Sequence, residues 1–146
     1  MGSEKCQSGS RGVKTYAVDY SVDYSESFLQ YYDSLVNTGV VHQLDRIDDF
    51  VEHYEKNGLS NWKGKISSSD RLPQNYPNRN LIIQHARNNS LWHVHIGDPC
   101  FRASVTGKYQ VSDGVLHFQK LSSYTIKIIS VSYHDPMTLP DSDEFE

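Results

Sequence analysis

Histidines and a scatter of cations hold the chemistry open to this chain. In Leu91-Trp92-His93-Val94-His95-Ile96, alternation puts Trp92, Val94 and Ile96 on one face of a strand and Leu91, His93 and His95 on the other. The apolar trio should face a core, so His93 and His95 are expected to emerge together on the open face of a sheet, where a substrate could lie. Their spacing leaves three readings open. A histidine titrating near neutrality suits proton transfer at an RNA 2′-hydroxyl or its leaving group. The same His-x-His pair could hold a metal ion with Asp98 or His117 as third ligand, although no Glu follows at cupin-like spacing and no Cys cluster supports it. The third reading is a purely structural pair within the sheet.

A second cluster, Tyr133-His134-Asp135, falls at an expected strand end just before Pro136, a usual place for functional side chains. Arg87, Arg102, Lys108 and Tyr109 are candidates to steady a phosphate or stack on a base, and Lys63, Lys65 and Arg71 add a basic connection. The catalytic candidates are therefore His93, His95, Tyr133 and His134.

The elements that must position these residues follow from periodicity and punctuation. Val13 to Tyr20 alternates as a first strand would. Ser25-Glu26 opens a helix whose Phe28, Leu29, Tyr32, Leu35 and Val36 keep helical spacing until Asn37-Thr38-Gly39. A second helix, capped by Asp45, aligns Ile47, Phe50, Val51 and Tyr54 and closes at Asn57-Gly58. Residues 59–80 show no sustained period and are expected to form a long polar loop. Beyond it the pattern is strand-like: Leu81-Ile82-Ile83, paired with Leu91 to Ile96 through Asn88-Asn89; a hairpin of Lys108–Val111 and Val115–Gln119 around Asp113-Gly114; and a final strand, Tyr124–Tyr133. This order predicts an α+β fold, two N-terminal helices on one face of a curved antiparallel sheet. Residues 1–12 are expected to be a disordered leader, 13–140 one domain and 141–146 a disordered acidic tail.

No apolar run approaches bilayer length, no secretory signal is evident, and Cys6 and Cys100 make no disulfide framework. These features point to a cytoplasmic protein with no membrane partner. The formal net charge is −4, but it is unevenly spread. Residues 1–58 carry five Lys/Arg against ten Asp/Glu, residues 59–140 nine against four, and the last six residues four acids alone. A basic second half can present a phosphate-binding face on a chain that is acidic in total.

The stretch Asp49-Phe50-Val51-Glu52-His53-Tyr54-Glu55-Lys56-Asn57-Gly58, then Ser69-Asp70-Arg71-Leu72, then the His93–His95 strand, resembles the YafO-like toxins of the RelE/ParE superfamily. So do Asp113-Gly114-Val115-Leu116-His117-Phe118 and Ile128-Ile129-Ser130-Val131, the resemblance running from about residue 45 to 137. It implies the RelE/ParE-like fold and an endoribonuclease that cuts mRNA in association with the ribosome. No metal or small-molecule cofactor would be needed, and a cognate antitoxin would neutralise the toxin. His93 and His95 are the residues it carries over; Tyr133, His134, Lys108 and Arg87 rest on their strand positions. The expected reaction is 2′-hydroxyl attack on the adjacent phosphodiester. A non-catalytic ParE-like toxin binding a protein such as gyrase, and a metal-dependent enzyme using His93 and His95, remain as alternatives.

Overall fold

The computed structural model describes residues 19–134 and 138–146. The chain runs β1 (Ser21–Tyr24), α1 (Glu26–Thr38), α2 (Val41–Asn57), β2 (Ile66–Ser68), α3 (Arg79–Asn88), β3 (Leu91–Asp98), β4 (Arg102–Ala103), β5 (Gln110–Val111), β6 (Gly114–Lys120) and β7 (Thr125–Tyr133), then a 3₁₀ turn, Ser142–Phe145. The class is α+β. The main sheet has the order β1-β7-β6-β3-β2, while β4 and β5 form a two-stranded ribbon of their own. β1 joins β7 in parallel, Ser21 opposite Thr125, and the remaining pairs are antiparallel. The sheet is thus mixed, where a purely antiparallel one was expected.

Helix α1 forms because each of its ends is satisfied. The Ser25 hydroxyl accepts the Phe28 N–H at 3.1 Å, and Gly39, at φ 72°, takes the left-handed turn that ends the helix. Phe28 and Leu35 of α1 and Ile47, Phe50 and Tyr54 of α2 enter one core with Val94, Ile96, Leu116, Phe118, Ile126 and Ile128 of the sheet. Those strand residues share one face, so alternation sends His93, His95 and His117 to the opposite face. Ile83, Ala86 and Leu91 are buried outside that core, and α3 packs against β3, covering part of the histidine side of the sheet.

Several sequence expectations change. Leu81-Ile82-Ile83 lies inside α3 rather than in a strand. α2 begins at Val41, before the expected cap at Asp45, and Val40 supplies no side-chain cap. The 59–80 connection contains β2 and ends in the first residues of α3. The expected 108–119 hairpin does not form: β5 pairs with β4, and Gly114 is already part of β6, opposite Asp98 and Tyr133. The acidic tail forms a capped 3₁₀ turn, with Phe145 stacked on His85 and the Glu146 carbonyl accepting the Glu26 N–H at 2.5 Å. The expected leader, and residues 13–18 of the expected first strand, lie outside the described residues; Asp19 and Tyr20 precede β1. Among the described residues no helix is long and apolar enough to cross a membrane.

Candidate functional site

The centre of β3 and β6 places His93 directly across from His117, and His95 across from Val115. At the end of β7, the His134 N–H bonds to the Asp113 carbonyl at 2.7 Å, which folds that residue back toward the same face. The ring centroid of His134 lies 4.9 Å from that of His95 and 5.6 Å from that of His93, and His93 stands 6.3 Å from His117. Four imidazoles therefore share one face. It is not the open face expected from alternation: His93 and His95 are only 7 % and 3 % exposed, and His117 is fully buried. The β4–β5 ribbon and the segment after β2 cover them.

Each buried ring is held from behind. His93 Nδ1 is 3.0 Å from the Ser69 hydroxyl. His95 Nδ1 is 2.8 Å from the Ser112 carbonyl oxygen and 2.9 Å from the Ser112 amide nitrogen. One tautomer makes only one of those bonds, donating to the carbonyl or accepting from the amide. Either way Nδ1 is engaged, and Nε2 is the nitrogen each ring has left to offer. Ser112 is itself locked: its hydroxyl accepts the Gly97 N–H at 3.0 Å and donates to the Gly114 carbonyl at 2.8 Å. This serine plugs the β-bulge where β3 slips register between His95 and Asp98. His117 Nε2 meets the Ser132 hydroxyl at 2.6 Å, while its buried Nδ1 has no hydrogen-bond partner.

Electrostatics fix the protonation of the cluster. Burial, reinforced by His117, His134, His95 and Lys65, pushes His93 down to about 3. Burial also pulls His95 down to about 4, against the opposing Ser112 backbone contact and with help from His134, Lys65 and Arg102. His117 falls to about 4 through burial and then His134. These three rings are neutral at physiological pH, so they act as lone-pair donors. The expectation of near-neutral titration does not hold for His93 or His95.

Above the cluster opens a cleft of about 660 Å³, with His93 and His134 on its floor and Lys65, Arg71, Arg102, Tyr76 and Tyr109 among its walls. Lys65 is set there by two backbone bonds, one to Gln110 of the ribbon and one to His95 of β3. Gly64 permits this approach, because a Cβ there would run into the His95 carbonyl oxygen. The Lys65 ammonium lies 5.1 Å over the Tyr109 ring, and Arg102 pairs with Asp113 at 2.9 Å. A cleft with cationic and aromatic walls over neutral imidazoles can seat an anion with a flat group beside it.

The sequence candidates divide accordingly. His93, His95, His134, Lys65, Arg71, Arg102 and Tyr109 come together, and the Lys108 ammonium lies 5.6 Å from the Tyr109 ring centroid. Tyr133 does not join them. Its neighbour Ser132 bonds His117, so alternation turns Tyr133 to the opposite face, and it is 65 % exposed. Arg87 is paired with Asp70 at 2.8 Å in an adjoining depression with Arg79 and Trp92, and Lys63 rests on Trp62 and Phe101. Of the alternative third ligands, Asp98 accepts from Gln43 at 2.7 Å, and among the described residues it is His134, not Asp98 or His117, that brings a ring nitrogen within 4.8 Å of those of His93 and His95. Ser69 and Ser112 were not among the sequence candidates for the site; the fold brings them to His93 and His95 from 24 and 17 residues away. The chain matches no family model, no curated protein and no solved structure.

Proposed function

We propose that this chain is a YafO-like toxin with a RelE/ParE-type fold, an endoribonuclease that cuts mRNA held on the ribosome and so stops translation in the cytoplasm. The observation that carries the reading is the cleft in which His93 and His134 lie beneath Lys65, Arg71 and Arg102. The order of one strand, two helices and later antiparallel strands also supports it. A phosphodiester seated between those cations would set its 2′-hydroxyl over the imidazoles. The neutral His93 ring takes the 2′-hydroxyl proton as the 2′-oxygen attacks phosphorus, the negative charge gathering on the phosphate beside it offsetting the low basicity that burial gives the resting ring. The bond to the 5′-oxygen breaks, and that oxygen leaves with a proton delivered through His134. The products are a 2′,3′-cyclic phosphate and a 5′-hydroxyl end. Tyr109 offers a ring on which the neighbouring base can stack. The reading carries a cognate antitoxin as protein partner.

The test is cleavage of ribosome-bound mRNA by metal-free protein, with the new ends mapped. Wild type should produce them, and His93→Ala or His134→Ala should lower the rate on the order of 10²-fold or more, the usual share of one proton-transfer group. Intact mRNA with the wild-type chain would sink the proposal.

A further inference from the structure

We propose that His93, His95 and His134 also form a binding site for one borderline transition-metal dication of the Zn²⁺ type, and that filling it switches off the cleft. One ring nitrogen from each of these residues lies within 4.8 Å of the other two. Tetrahedral zinc with bonds of about 2.0–2.1 Å needs ligand nitrogens about 3.3 Å apart, so the rings must close in by roughly 1.5 Å at most. His134, the exposed member at the turn that ends β7, is the ring with the most room to move, and His93 and His95 are buried in the sheet.

The surroundings of the two fixed rings are those of ligand histidines. A ligating imidazole holds its second ring nitrogen by a hydrogen bond to a carbonyl, hydroxyl or carboxylate, which sets the tautomer and aims the other lone pair at the metal. His93 has the Ser69 hydroxyl and His95 the Ser112 carbonyl in that position. The His95 tautomer that donates to Ser112 is the one that frees Nε2. Three imidazoles without a carboxylate select nitrogen-loving Zn²⁺, Co²⁺ or Ni²⁺ over Mg²⁺ and Ca²⁺, which require oxygen ligands. The fourth position would open into the cleft, where Lys65 and Arg102 favour an anion or hydroxide as the last ligand.

Occupancy would take the lone pairs that proton transfer needs, so the ion acts as an inhibitor rather than a cofactor. Metal binding stands on the geometry alone; the switch rests on the ribonuclease reading.

The experiment uses full-length protein stripped with a chelator and titrated with Zn²⁺, Co²⁺ or Mg²⁺ by calorimetry, with visible absorption recorded for Co²⁺. One Zn²⁺ per chain, an intense tetrahedral-type Co²⁺ spectrum and no Mg²⁺ binding are expected. His134→Ala, at an exposed position, should weaken Zn²⁺ at least tenfold with an unchanged circular dichroism spectrum. Absence of stoichiometric Zn²⁺, or affinity indifferent to His134→Ala, overturns the site. In the cleavage assay one equivalent of Zn²⁺ should abolish cutting and excess chelator should restore it. Undiminished cutting by the Zn²⁺-loaded chain overturns the switch. Failure of the metal-free chain to cut overturns the ribonuclease reading instead and leaves metal binding standing.

Discussion

His117 shows how far one buried side chain can be judged from its partners. It is fully buried, gives or takes one bond through Nε2 with Ser132, and leaves Nδ1 with nothing to bond. An unsatisfied buried polar atom costs about 1–3 kcal/mol. His117→Leu, close in volume, removes that penalty and gives up only the Ser132 bond, whose serine is half-buried and can turn to water. Its stability should stay within about 1 kcal/mol of wild type, where truncating a large core residue costs about 2–5. Urea unfolding measures this, and a loss well above 2 kcal/mol would mean that Nδ1 is bonded after all. The histidine pair was legible at this scale from alternation alone. The burial of His93 and His95 was not, because the ribbon and serines that cover them are distant in sequence.

Among the elements, α1 and the end of α2 were legible because capping and periodicity agree, with Ser25 and Gly39 at the two ends of α1 and Gly58 closing α2. α3 was misread because three consecutive apolar residues carry no period. The structure resolves the ambiguity by burying Ile83 and leaving Leu81 69 % exposed. Leu81→Asp should therefore change stability by less than about 0.5 kcal/mol, as surface substitutions do, while Ile83→Asp buries a charge and should cost several-fold more. Equal losses at the two positions, read by thermal unfolding, would contradict the helix. Asp113-Gly114 misled for a different reason. Local turn chemistry favours a hairpin there, but the buried bonds of Ser112 to Gly97 and Gly114 tie the segment to the β3 bulge.

For the whole molecule, the buried histidines set the response to acid. Unfolded histidines bind a proton near pH 6.5, whereas folded His93, His95 and His117 do so only at about 3, 4 and 4. Between those values the unfolded chain holds more protons, so stability rises with pH. It is lost as pH falls below about 6.5, by up to about 1.4 kcal/mol per pH unit for each histidine. The urea midpoint of metal-free protein should drop steeply from pH 7.5 to 5.5, and less steeply in His117→Leu. A flat profile contradicts the neutral cluster. Net charge gave little guidance at this scale, since the cationic cleft walls come from residues 65–109 while the acids are concentrated in the first 58 residues and the tail.

The parallel pairing of β1 with β7 has a further consequence, in time rather than in space. Ser21 and Thr125 touch across 104 residues of chain, and His134 comes later still. Closing so long a loop is slow and comes after local helix formation. During synthesis the helices can form while β1 waits for its neighbour, and the histidine floor stays incomplete until the last strand has left the exit tunnel. The cleft over the histidines is therefore among the last parts of the molecule to be completed.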